Sequence, residues 1–280
     1  MTDQLDPVAI LAALGVEQPV KVTPISGGWD TALWRVDTPV RTSALRVFRS
    51  EQARTCRKEA LVMRALRELS PHLPVPAVYA EGVSQDRPAL LLEWCRGRPI
   101  LDELRQHPTR IWQLGTAMGR VHAQIHAVIV PDEIAQALPD QSHDGLRSIL
   151  HLDFHPLNVM TDGHAVTGVL DWANVALGDR RADLARTVTL LRLAPMPPGT
   201  SVLLQRALRG LLELAWRRGY GQQHRSTDPF TDMAPFYSWA GAWMERDLRP
   251  KLGRPGVWLT EDDLARIQRW TAAQTSRLYR

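Results

Sequence analysis

The hydrophobic pattern of the chain changes period once, and that change constrains the fold more than any composition figure. From Val20 to about Phe48 apolar and polar residues alternate, interrupted by turn residues: VKVTPIS, GG, TALWRVDT, a proline-containing turn and SALRVFR. Such alternation predicts three short antiparallel strands, the first two joined at Gly27-Gly28. VPAVYAEG and ALLLEW, separated by a turn over residues 84–88, predict two more. Between these groups, residues 51–69 (EQARTCRKEALVMRALREL) carry Cys56, Ala60, Met63 and Leu66 at helical spacing, and Pro71 stops the helix. Past Gly97 and Pro99 the period becomes helical: residues 111–128 (IWQLGTAMGRVHAQIHAV) form an amphipathic stretch, and most of the chain beyond 180 follows suit. The exception is 149–172, where ILHLDFHPLNVM and AVTGVLDW predict two short strands flanking a loop.

The expected fold class is α+β and bilobal. A small β-rich N-lobe, a five-stranded antiparallel sheet plus one helix, occupies residues 1–93. A hinge follows at 94–98, then a larger, mainly α-helical C-lobe over 99–280. The length of 280 residues is enough for two lobes that each bury a core. A hydrophobic fraction of 44% and a charged fraction of 23% exclude disorder, collagen-like repeats and coiled coil. The basic excess, 34 against 30, leaves +4 with no run of five or six like charges, so no nucleic-acid partner is expected. Cys56 and Cys95 form no CxxC pair, which argues against a disulfide framework or a structural zinc site. The first residues, MTDQLDPVAILAALG, carry acids where a signal peptide needs basic residues, and no apolar run approaches 18 residues. The expectation is a cytoplasmic protein with no membrane partner; oligomeric state is not written in the sequence.

The chemistry concentrates in His151-Leu152-Asp153-Phe154-His155-Pro156-Leu157-Asn158, with Asp171 closing the next apolar strand thirteen positions later. Phosphoryl transfer needs a carboxylate to orient and deprotonate an attacking hydroxyl, and oxygen ligands that hold Mg²⁺ against nucleotide phosphates. Asp153 and Asn158 have the D-x-x-x-x-N spacing of a kinase catalytic loop, and Asp171 stands where a DFG aspartate would. A zinc reading of His151, Asp153 and His155 as H-x-D-x-H leaves Pro156 and Asn158 without a role. Glu59 lies on the apolar stripe of its helix, three residues after Cys56 and four before Met63. A carboxylate turned toward a core needs a cation, and Arg46 in the third strand is the candidate. The alternative is that Glu59 snorkels to solvent and Arg46 lies on the strand surface.

These motifs resemble the aminoglycoside phosphotransferase and choline kinase-like family, whose fold is protein kinase-like and whose loop reads roughly HGDxHPxN. The resemblance runs from about Ile25 to Leu193 and takes in SGGWDTALWRV, ALRVF, LLLEWCRG and GDRRADLAR. It implies that Asp153 is the catalytic base and that Asn158 and Asp171 are Mg²⁺ ligands. It further implies that Ser26, Gly27 and Gly28 bring backbone amides to the phosphates of ATP. Arg46, paired with Glu59, takes the place of the kinase lysine on those phosphates. Glu93, Trp94 and Cys95 present backbone groups to the adenine. The implied partner is a small-molecule hydroxyl acceptor such as an aminoglycoside, amino alcohol, sugar or macrolide. A nucleotide-binding pseudokinase that acts as a regulatory module is the competing reading.

Two departures stand out: Leu152 replaces the glycine usual between His and Asp, and Leu157 replaces a second small residue, and both are expected to narrow the loop's approach to the acceptor. His151 is expected to fix the loop by hydrogen bonding, and Asp179 and Asp183 to be structural. Phe236, Trp239 and Trp243 stripe one helical face, as core packing or as an aromatic wall for an acceptor.

Overall fold

The computed structural model describes residues 5–16, 21–25, 31–141, 147–195, 202–223, 228–254 and 257–279. A short helix, α1 (Pro7–Ala13), precedes strands β1 (Lys21–Ile25), β2 (Ala32–Asp37) and β3 (Thr42–Val47), and then α2 (Ala53–Leu69), β4 (Val78–Ser84) and β5 (Arg87–Glu93). These strands form one antiparallel sheet in the order β1-β2-β3-β5-β4. The β4–β5 hairpin turns through Gln85 and Asp86, with φ of 53° and 56°, the left-handed pair that a two-residue turn of matching twist requires.

The sheet is covered on both faces. Leu45, Val47, Ala89 and Leu91 pack with Ile10 and Leu11 of α1, while Leu90 and Leu92 join Cys56, Ala60 and Met63 of α2. The N-lobe therefore holds a second helix beyond the one expected. α1 is only seven residues long, capped by the Asp6 side chain with Pro7 at its first position, and it buries two side chains. So short an element leaves almost no periodicity to read. Its trace is in β5, where ALLL is apolar without alternation because both faces are buried.

The second lobe begins with β6 (Arg98–Pro99), α3 (Ile100–Gln106), α4 (Ile111–His126), α5 (Asp132–Ala137) and β7 (Asp140–Gln141). Strands β8 (Ser148–Leu150), β9 (Val159–Thr161), β10 (Val166–Val169) and β11 (Ala176–Gly178) follow. The remaining helices are α6 (Arg180–Leu193), α7 (Val202–Gly221), α8 (Ala234–Leu248) and α9 (Glu261–Thr275). The expectation of two strands over 149–172 is corrected. The segment ILHLDFHPLNVM contributes strands to two different sheets: β8 pairs with β11, whereas β9 pairs with β10 and β6. The loop 151–158 spans the gap between them. Hydrogen bonds, not apolar period, decide such three-residue strands.

Helix α4 lies directly on α7, and glycines set the approach. A Cβ on Gly119 would stand 2.0 Å from the Trp216 carbonyl oxygen, and one on Gly219 would stand 2.0 Å from that of Thr116. Backbone atoms cannot yield that distance without separating the helices. Gly119→Ala is expected to destabilise the protein by about 3 kcal/mol, the upper end for an overpacked core, measured by denaturant unfolding. A loss below about 0.5 kcal/mol would show that this contact is loose.

Candidate active site

Helix α6 starts beneath the 151–158 loop, and its Asp183 holds that loop in place. Asp183 is fully buried. Its Oδ2 accepts the His151 amide at 2.6 Å and the Nε2–H groups of His122 and His126 at 3.1 Å each, and its Oδ1 accepts the Leu152 amide at 2.8 Å. Burial opposes the charge, but these donors outweigh it and hold the carboxyl well below the usual range. His126 completes the cage by accepting the Tyr220 hydroxyl of α7 at Nδ1, 2.7 Å away. His122, His126 and Asp183 bring one ligand atom each within 4.8 Å of one another, a spacing open to a metal ion. Every one of those atoms is already engaged in the hydrogen bonds above, so the arrangement explains itself as a structural cage.

The caged backbone is strained. Leu152 has φ of 62°, the left-handed region in which glycine is at ease and leucine costs roughly 1 kcal/mol or more. Its side chain offsets the cost by burial against Leu150, Ala176, Ala182 and Trp243. The expectation that Leu152 narrows the acceptor approach is thus corrected, because the side chain points into the core and is fully buried. Leu157 is the exposed one, at 46%.

Within this loop Asp153 is held by its own neighbours. The Asn158 side-chain amide donates to the Asp153 carbonyl at 3.0 Å and to its Oδ2 at 3.1 Å, and His155 Nε2 lies 3.6 Å from the same oxygen. Burial opposes ionisation of Asp153, yet His155, His151 and Arg186 prevail and bring its pKa down to about 2. His151 fixes the loop as expected: its Nε2 donates to the Leu170 carbonyl at 3.0 Å and its Nδ1 accepts the Asp153 amide at 3.3 Å. The first of these bonds ties the loop to the strand end that carries Asp171. Asp171 itself has φ of 64°, a conformation that aspartate tolerates better than most residues.

Arg46 of β3 joins the lobes. It donates from Nη1 to Glu59 Oε2 of α2 at 2.7 Å and from Nη2 to Asp171 Oδ1 at 2.9 Å. The strand places the guanidinium there because Arg46 shares the α2-facing side of the sheet with Ala44, opposite Leu45 and Val47. Burial pushes the Glu59 carboxyl up to about 7 against the pull of the guanidinium, while Glu59 and Asp171 outweigh burial for Arg46 and keep it charged. Lys58, the neighbour of Glu59, adds a second tie between lobes by donating to the Val175 carbonyl at 3.2 Å.

The expected residues therefore sort into three groups. Arg46, Glu59 and Asp171 are joined by side-chain bonds, and Asp153 with Asn158 forms a second pair tied to them through the Leu170 backbone. Glu93 and Cys95 sit at the end of β5 and beyond it: the Glu93 amide donates to the Ala77 carbonyl at 2.8 Å, its carboxylate accepts Arg67 and the Ala77 amide, and burial pushes the Cys95 thiol up to about 12. The Glu93 N–H is thus committed within the sheet. Ser26, Gly27 and Gly28 lie outside the described residues. The aromatic stripe of α8 is neither fully core nor free wall. Phe236 and Trp243 are half-buried beneath the guanidinium groups of Arg181 and Arg186, and Trp239 is exposed.

Sequence reasoning passed over Arg186. Its Nε donates to the Leu152 carbonyl at 3.2 Å, its ring partner is Trp243 at 4.5 Å, and one terminal nitrogen is buried without a partner. The signal was available, since Arg186 falls three residues after Asp183 on the same helical face.

The sequence model described as "Phosphotransferase enzyme family" matches residues 21–145 and 130–230. The chain belongs to that family. No curated protein matches it. Among solved structures, a thermostable mutant of aminoglycoside phosphotransferase APH(4)-Ia, in ternary complex with ADP and hygromycin B, is 16% identical with a TM-score of 0.65, over 95% of this chain and 96% of that one. A GDP complex of an aminoglycoside 2'-phosphotransferase-IIIa mutant is 14% identical over 97% and 96%, with a TM-score of 0.61. Spectinomycin phosphotransferase APH(9)-Ia, in complex with ADP and spectinomycin, is 11% identical over 95% and 92%, with a TM-score of 0.55. These structures share the bilobal fold. No helix among the described residues is long and apolar enough to cross a membrane.

The histidine cage generates a pH dependence. Burial lowers His122 from the ordinary 6.5 to about 4 and lowers His151 as well. Between those pH values the unfolded chain binds protons that the folded one refuses, so stability is complete above pH 6.5 and declines as pH falls toward 4. Thermal melts should show Tm falling from pH 7 to pH 5, with a limiting slope of about 1.4 kcal/mol per pH unit for each such histidine. His122→Gln should be less stable at pH 7 but shallower in its pH dependence. An unchanged slope would show that His122 is already protonated in the fold.

Proposed function

We propose that this protein is an ATP- and Mg²⁺-dependent O-phosphotransferase that moves the γ-phosphoryl group to a hydroxyl of a small molecule. The observation that carries the reading is an ionised Asp153 held by Asn158 in a loop that His151 ties to the strand end bearing Asp171, where Asp171 meets Arg46 of the N-lobe. Asp153 orients the acceptor hydroxyl and accepts its proton as the new O–P bond forms. The bond from the γ-phosphorus to the bridging oxygen breaks, and ADP leaves with that electron pair. Arg46, held rigidly by Glu59, offers a planar cation to the phosphates. We assign residues 94–98 as the hinge between a nucleotide-covering lobe, 1–93, and a catalytic and acceptor-binding lobe, 99–280. Ser26, Gly27 and Gly28 are assigned to the phosphates, and Glu93 and Cys95 to the adenine end.

The donor set fits a hard divalent cation. Asn158 spends its amide nitrogen on Asp153, which leaves its oxygen for a metal, and Asp171 spends Oδ1 on Arg46, which leaves Oδ2. Oxygen-only ligands of this kind suit Mg²⁺. When bound, the ion neutralises phosphate charge; Asn158 and Asp171 would hold it.

The acceptor class remains wide: aminoglycosides, amino alcohols, sugars and macrolides are the candidates, with hygromycin B and spectinomycin included because relatives of the same fold hold them. Turnover of ATP and of GTP against this panel should identify an acceptor. Asp153→Ala is expected to lower kcat at least 100-fold while nucleotide affinity stays within about threefold. Turnover that survives the change would remove Asp153 from the chemistry. Nucleotide binding without phosphorylation of any acceptor would favour a regulatory module instead.

A further inference from the structure

A cluster of arginines lies between the C-terminal end of α6 and α7. Arg192, Arg206, Arg209 and Arg217 line a cavity of about 590 Å³ together with Glu213 and Leu214. Four guanidinium groups face one carboxylate, an excess of three positive charges in a chain whose whole net charge is +4.

The cluster is built in advance of any ligand. Glu213 is 4% exposed and takes Arg192 Nη2 at 2.7 Å and Arg217 Nε at 2.8 Å. Arg217 is fixed further by donating Nη2 to the Tyr237 hydroxyl at 2.8 Å and by lying 4.1 Å over the Phe230 ring. Arg209 donates Nη1 to the Arg192 carbonyl and Nη2 to the Ala194 carbonyl, so it caps the end of α6. Each guanidinium has five N–H donors, and these bonds use only part of the supply. Arg206 makes no hydrogen bond or ion pair among the described residues and sits one helical turn before Arg209. Burial and the nearby Arg266 both disfavour the charge on Arg209, as expected where like charges are crowded.

We propose that this cavity is a binding site for a small anion, a molecule whose phosphate or carboxylate oxygens are taken by the guanidinium forks of Arg206, Arg209, Arg192 and Arg217. Three features support it. Planar forks match oxyanions bidentately, Leu214 gives the ligand an apolar wall, and the volume lies within the range of small-molecule sites. The site is separate from the Asp153 cleft and independent of the phosphotransferase reading.

The test is a titration of the full chain with pyrophosphate, and in parallel with citrate, followed at the backbone amide signals of Gly210 and Leu214 by NMR. Those amides lie in the cavity wall, so anion binding in the cleft does not register there. Saturable shifts with at least one of the two anions are expected, and the stronger one identifies the preferred oxyanion. Arg206→Glu, at an exposed helical position where folding is unaffected, should weaken the binding at least tenfold. Arg57→Glu on α2, with the same change in net charge, should leave it within twofold. The proposal is overturned if neither anion gives a saturable shift, if Arg206→Glu binds as wild type does, or if Arg57→Glu weakens binding equally.

Discussion

One buried carboxylate organises the larger, C-terminal lobe of this molecule. Asp183 collects two backbone amides from the loop and two imidazole N–H groups from α4, all out of contact with water. A lone ion in that position would cost several kcal/mol, and only the full set of donors makes it tolerable. The consequence is geometric. Four elements, α4, α6, α7 through Tyr220, and the 151–158 loop, must meet at one point, and the glycine contacts between α4 and α7 exist so that they can. A loop pinned in this way can hold leucine in a left-handed conformation, because the amides of His151 and Leu152 have only one place to go.

The second constraint crosses the cleft. Arg46 answers Glu59 in its own lobe and Asp171 in the other, so the sheet of the N-lobe and the strand end of the C-lobe are brought to one guanidinium. Strain lies on the C-lobe side of this contact, where both Leu152 and Asp171 carry positive φ. Residues in such conformations persist where their surroundings over-determine them. Here the surroundings are the carboxylate cage, the His151–Leu170 bond and the Arg46 bridge. The outcome is that Arg46, Glu59 and Asp171 are held together, with the 151–158 loop tied to the same strand end.

Much of this was legible in the chain. The two periods separated the β-rich part from the α-rich part, the spacing of Asp153, Asn158 and Asp171 marked the candidate site, and the apolar setting of Glu59 demanded a cation that Arg46 supplies. What was not legible follows from how each feature is encoded. The helix α1 buries two side chains through seven residues, too few for a period to appear. The short strands β8, β9 and β10 are fixed by long-range hydrogen bonds, so the segment 149–172 looked like two strands where three exist. The inward turn of Leu152 depends on φ, which a leucine at a glycine position does not announce. Arg186 and the histidine cage needed the tertiary meeting of α4, α6 and α7, although the spacing of Asp183 and Arg186 on one helix was visible.

The account stands on Asn158, Asp171 and Arg46 acting together on one bound nucleotide. A crystal structure of the protein with a non-hydrolysable ATP analogue and Mg²⁺ tests this most directly. The expected result is a metal held by the Asn158 oxygen and the Asp171 carboxylate, the Arg46 guanidinium against a phosphate, and the terminal phosphorus on the Asp153 side of the cleft. A nucleotide bound elsewhere, or one whose phosphates meet none of these three side chains, would contradict it.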